Sequence, residues 1–287
     1  MITTDYQYFD EEAVKPRERR TIVRVAVRLT FDSSSDVVLK RAPLEVVLCQ
    51  VRFTPVLALL GDAGVAGFQE GIRRQYPVSG KASEAQVTLK SSGRIEASQQ
   101  APVWRFTDQD GKWTVSIAVN FVALEAPEYT HFDDFAERFD QVLDVLYRTV
   151  HPSDAIRVGL RKVNAIRHPD VSQPSDWTAL LNPALLGVLS VPGVGEKVTT
   201  SWSEFHLRDD EDGTLAVRHG AVPNEPDVYR IDLDYSTERP SRIERGSDLS
   251  RLLKEYSLST TEFFLWCLSP DLKQYLEPTP RPQRSTP

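Results

Sequence analysis

The residues best suited to chemistry lie in IRVGLRKVNAI, a strand-like run at 156–166. Alternation puts Arg157, Gly159 and Arg161 on one face and Lys162 and Asn164 on the other. A glycine between two arginines leaves room for a ligand to approach the backbone between two guanidinium groups. Guanidinium binds carboxylate and phosphate through paired hydrogen bonds. Arg157, Gly159, Arg161 and Asn164 are therefore the candidate ligand-binding set, and the expected ligand is an acidic small molecule or a partner protein. The competing explanation is a solvent-facing sheet surface knitted by cross-strand ion pairs.

A second constellation is Asp232-x-Asp234, within VYRIDLDY at 228–235. Paired carboxylates can hold Mg²⁺ or Mn²⁺, which gives an alternative reading as a metal-dependent enzyme acting on phosphate esters. Hard cations normally need further oxygen ligands, and Arg230 shares that face as a simple neutraliser.

A third constellation is basic. Arg17, Arg19, Arg20, Arg24 and Arg28 cluster in and before the strand-like run at 21–31, a candidate nucleic-acid surface. Glu18 interrupts the run, and no aromatic side chains interleave with it to stack bases. With 41 acidic and 34 basic residues the chain carries a net charge of −7, which repels phosphate in general.

The histidines His131, His151, His168, His206 and His219 are scattered. His206 and His219 fall on opposite arms of one hairpin but lack a Cys or carboxylate at metal-ligand spacing. No G-x-S-x-G, G-x-x-x-x-G-K-[ST] or G-x-G-x-x-G motif occurs. The residues thus point to a non-catalytic binding or regulatory protein, with no cofactor expected and no metal assigned.

The elements that must position these residues recur in order. A strand, a helix, three strands and a helix run from Pro43 to Val150 and again from Ala155 to Leu276. The two opening strands, LEVVLCQVRF at 44–53 and IRVGLRKVNA at 156–165, match so that Glu45, Val47 and Cys49 become Arg157, Gly159 and Arg161. The expected fold is α+β: two tandem β-α-β-β-β-α units forming a pseudo-twofold, mainly antiparallel sheet body with helices packed on one face. Residues 1–42 are read as an arm plus the extra strand, 43–150 and 151–276 as the two units of one body, and 277–287 as a disordered tail. This element order is close to that of saddle-shaped folds such as the TATA-binding protein, an analogy that transfers no function.

Within the first unit the spacing predicts a helix at 63–75, a strand at 85–90 and a polar loop at 91–101. A hairpin at 103–121 should turn at Asp108–Gly111. Phe132, Phe135, Phe139, Val142, Leu143 and Leu146 stripe a helix near 131–149, with Thr130 as its N-cap. The second unit predicts a short helix around Trp177, Leu180 and Leu181, a hairpin across Asp209–Gly213, the strand at 228–235 and a helix over 247–268.

No apolar run approaches the roughly 18–20 residues that span a bilayer, and the first 20 residues lack the apolar core of a secretory signal. Cys49 and Cys267 lie in apolar stretches and read as buried thiols of a reducing compartment. The expectation is a soluble cytoplasmic protein.

In PLEVVLCQVRF, YTHFDDFAERFDQVLDVL, IRVGLRKVNAI and IDLDY, in that order, the chain resembles a sporadically distributed bacterial protein family with no established activity. The resemblance covers about residues 43–276. It implies that Gly159, Leu160, Arg161 and Asn164 match the family's most recognisable run, and it supplies no catalytic residue. The strand at 21–31 is an addition to that pattern.

Overall fold

The computed structural model describes residues 37–82, 86–89, 95–98, 101–127, 132–153, 155–208, 213–238 and 247–280. The strands are β1 (Val37–Leu39), β2 (Leu44–Phe53), β3 (Val78–Ala82), β4 (Gln86–Leu89), β5 (Ile95–Ser98), β6 (Val103–Thr107), β7 (Thr114–Ala118), β8 (Phe121–Ala126), β9 (Ala155–Arg167), β10 (Ser201–Arg208), β11 (Gly213–Val222), β12 (Glu225–Thr237) and β13 (Pro278–Pro280). The helices are α1 (Asp62–Ile72), α2 (Phe132–Thr149), α3 (Ser247–Trp266) and α4 (Pro270–Tyr275). The chain is α+β. Nine strands form one sheet in the order β10-β11-β12-β9-β2-β8-β7-β6-β3, and every neighbouring pair in it is antiparallel.

The strands β2 and β9 meet at the centre of this sheet, and their pairing fixes which residues share a face. Cys49 opposes Leu160 and Val51 opposes Val158, all four buried in the core. Leu48 opposes Arg161 and Gln50 opposes Gly159 on the other side. Strand periodicity therefore puts Val47 and Cys49 against the helices, while Gly159 and Arg161 face away from them. Val47 and Cys49 thus lie on the face opposite Gly159 and Arg161, the positions matched to them in sequence. A bulge in β2 between Leu44 and Val46 shifts the local register at Glu45.

Helices cover the core face. In α2 all six residues of the predicted stripe are buried, and Phe135 and Phe139 are completely so. Lys254 of α3 reaches Asp133 of α2 at 2.9 Å, linking the two helices. Ser269 caps α4 by accepting from the Leu272 amide, with Pro270 at its first position. In α1, Val65, Phe68 and Ile72 face the core as their spacing requires.

Several elements differ from expectation, each for a local reason. The second hairpin arm stops at Ala118, and the chain turns at Val119–Asn120 into β8. No glycine or proline marks this turn. It is held by tertiary backbone bonds, Phe53 N–H to the Asn120 carbonyl and Val56 N–H to the Val119 carbonyl. The polar stretch at 91–101 contains β5, which pairs with β4 outside the main sheet. Around Trp177 the expected helix becomes a series of 3-10 turns, Pro174–Ala179, Pro183–Leu185, Gly187–Ser190 and Gly195–Lys197. Pro183 cannot continue the preceding turn, and Gly187 and Gly193 take left-handed φ values of 51° and 75°, so no turn propagates into an α-helix. Pro278–Pro280, at the start of the expected tail, pairs with β1. The arginines from Arg17 to Arg28, the strand at 21–31, Thr130 and His131 lie outside the described residues. Among the described residues no helix is long and apolar enough to cross a membrane.

Candidate functional site

On the open face of the sheet, opposite the helices, β9 and β12 bring the arginines and aspartates together. Register places Asp234 opposite Arg161 and Asp232 opposite Val163. The Arg161 side chain reaches one diagonal step, donating from Nε and Nη2 to the two Asp232 oxygens at 2.8 and 2.7 Å. Arg157 reaches further along the sheet, and its Nη2 donates to both oxygens of Asp234 at 2.9 Å. The Arg161–Asp232 fork, with two nitrogens on two oxygens, is the geometry for which guanidinium and carboxylate are best matched, whereas Arg157 shares one nitrogen between both Asp234 oxygens. The two aspartates thus neutralise the two arginines, with Arg230 instead bonded to Glu45 at 3.2 Å. The expected role of Arg230 as the neutraliser of Asp232-x-Asp234 is corrected accordingly.

Arg157 runs over Gly159 to make this reach. A Cβ at position 159 would stand 2.6 Å from Arg157 Nη1. The space above the glycine is filled by the protein's own guanidinium, so the expected gap for a ligand is closed.

The pairing extends into a ladder across four strands. Arg218 on β11 lies opposite Asp232, and Glu204 on β10 lies opposite Arg218. Arg218 Nε reaches Glu204 at 3.1 Å and its Nη1 stands 3.7 Å from Asp232. Asp232 is the buried hub, its side chain 4% exposed, whereas the Arg161 side chain above it is 45% exposed. The hydrogen bonds that the Arg161 guanidinium donates to Asp232 hold it above its ordinary pKa range, against the opposing effect of burial. Arg161 and Glu204, each with a side chain 45% exposed, are where the ladder meets solvent, one with each sign of charge.

Asn164 does not join this cluster. It lies on the helix side, buried, with Nδ2 donating to the Ile231 carbonyl at 3.3 Å. Lys162 is also buried there, and its Nζ donates to the Ser257 carbonyl, Ser257 Oγ and Thr261 Oγ1 at 3.0, 2.9 and 3.0 Å. These bonds pin α3 to the centre of the sheet. Asn164 therefore sits on the face opposite Arg157 and Arg161, its amide bonded inside the fold.

Among the described residues, His206 and His219 do not converge. His206 is exposed beside Glu204 at 3.2 Å. His219 is buried against the helices, its Nδ1 2.7 Å from the Tyr229 hydroxyl. Burial pushes the His219 pKa down and that of Tyr229 up. Among the described residues, no group of three or more His, Cys, Asp or Glu side chains is arranged to hold a metal ion.

Glu204 and Arg218 were not singled out by the sequence motifs. Their signal was available in the hairpin, because counting back through its turn places them opposite each other. No protein-family model and no curated protein matches the chain.

Proposed function

We propose that the protein is a binding or regulatory protein that recognises a partner protein through the open face of its sheet. The observation that carries this reading is the Glu204–Arg218–Asp232–Arg161 ladder, with its buried acidic hub and half-exposed arginine. A small acidic ligand would compete with Asp232 and Asp234 for guanidinium groups already hydrogen-bonded to those carboxylates. A partner protein carrying both signs of charge can add to the ladder without dismantling it, which favours register and specificity over raw affinity. The metal-dependent alternative requires a cation to displace two guanidinium groups from Asp232 and Asp234, and it gains no support from this arrangement.

The two halves are read as a duplicated unit. In its favour, the opening strands β2 and β9 are neighbours at the sheet centre. The closing strands β8 and β12 flank them, and α2 and α3 follow those closing strands. On this reading the open face is a surface shared by both halves, crossing the seam between β2 and β9.

The test is affinity capture from an extract of the source cells, with the wild-type chain and Arg161→Ala compared at equal folded concentration. A partner retained by the wild type, lost from Arg161→Ala and weakened by salt supports the reading. Identical capture by the two folded proteins overturns it.

A further inference from the structure

The outer strand β10 has properties that the open-face reading leaves unused. It is eight residues long and pairs with β11 in continuous register from Ser201 to Arg208. Its sequence, SWSEFHLR, contains no proline, glycine or lysine, and no bulge interrupts it. Natural edge strands are normally blunted by such features. The opposite edge, β3, is five residues long and contains Gly80 and Lys81. Among the described residues nothing pairs with the outer side of β10, and its Trp202 is 50% exposed.

We propose that β10 pairs edge to edge with β10 of a second copy of this chain, antiparallel and centred on Phe205. A twofold axis perpendicular to the sheet keeps each side chain on its own face, so the axis must pass beside a residue and not between two residues. Centring on Glu204 sets two like carboxylates directly opposite. Centring on His206 sets two imidazoles opposite and shortens the overlap. Centring on Phe205 places Glu204 opposite the second copy's His206, and Trp202 opposite its Arg208. Both are favourable cross-strand pairs, one between an acid and an imidazole and one between a cation and an aromatic face. On the helix side, Phe205 meets Phe205 of the second copy at the axis. Phe205 is already braced by Phe263 and His219, with ring centroids 6.3 and 5.8 Å away.

The pairing makes the two nine-stranded sheets continuous and extends the open face across the axis. It is independent of what binds that face. The contact is one strand wide, so a weak dimer that exchanges with monomer on the order of micromolar concentrations is the expected state.

Sedimentation equilibrium on the full chain tests this from about 1 to about 200 µM. The wild type should shift from monomer to dimer across that range, and amide exchange in residues 201–208 should slow as concentration rises. Trp202→Arg sets arginine against Arg208 in both symmetry-related pairs and should weaken the dimer at least tenfold. Adding Arg208→Glu to Trp202→Arg should restore it. A wild type that stays monomeric with unchanged exchange overturns the proposal. So does a folded Trp202→Arg that dimerises normally, or a double variant that remains monomeric.

Discussion

Arg157 lies directly over Gly159, its Nη1 2.6 Å from the point a methyl group at that position would occupy. The glycine serves as a bed for a side chain of its own strand. Because of it, Arg157 can pass Gly159 and close a two-point bond with Asp234 at 2.9 Å.

Gly159→Ala should therefore act through Arg157. The backbone there is ordinary strand, but the methyl group forces the guanidinium off Asp234. The expected loss is about 1–2 kcal/mol, since the pair is partly shielded from water and not fully buried. In an Asp234→Asn background the same change should cost much less. Urea denaturation of the four proteins measures the coupling, and additive losses would show that Arg157 does not mediate the effect.

Lys162→Met should loosen α3. It removes the bonds to Ser257 and Thr261 while keeping most of the aliphatic volume. A loss of about 1–3 kcal/mol is expected, with faster amide exchange concentrated in residues 249–266. A uniform rise in exchange across the sheet would argue against local anchoring.

Acidification should weaken the fold through His219. Burial lowers its pKa in the folded chain, whereas the unfolded histidine titrates near about 6.5. Below that value the unfolded state takes up a proton that the folded state resists, so stability falls as pH drops and is level above it. Comparing His219→Gln with wild type by urea denaturation from about pH 7.5 to about pH 5 isolates this contribution. An unchanged slope in the variant would assign the loss to other groups.

Much of this architecture was legible because burial follows period. The α2 stripe, the two faces of β9 and the β10–β11 hairpin all come from spacing that a core must satisfy. The turn at Val119–Asn120 was hidden because its stabilising partners, Phe53 and Val56, are distant in sequence. The 3-10 turns after Pro174 were obscured by leucines at helical spacing around Trp177. The arginines were found as a motif, but their partners were not. Asp232 and Asp234 become their anchors only once β12 is placed beside β9.

The most direct test of the open face as a recognition surface separates its charge from its part in stability. Replacing a paired arginine and carboxylate together by apolar residues of similar size often leaves a fold nearly unchanged. Arg161→Met combined with Asp232→Leu leaves Arg218 bonded to Glu204 and removes the exposed charge. Partner binding by this double variant is the decisive measurement, made by titration at a concentration where it melts like wild type. Intact folding with binding reduced at least tenfold is the expected result. Wild-type affinity in the folded double variant would contradict it and leave the ladder a purely structural device.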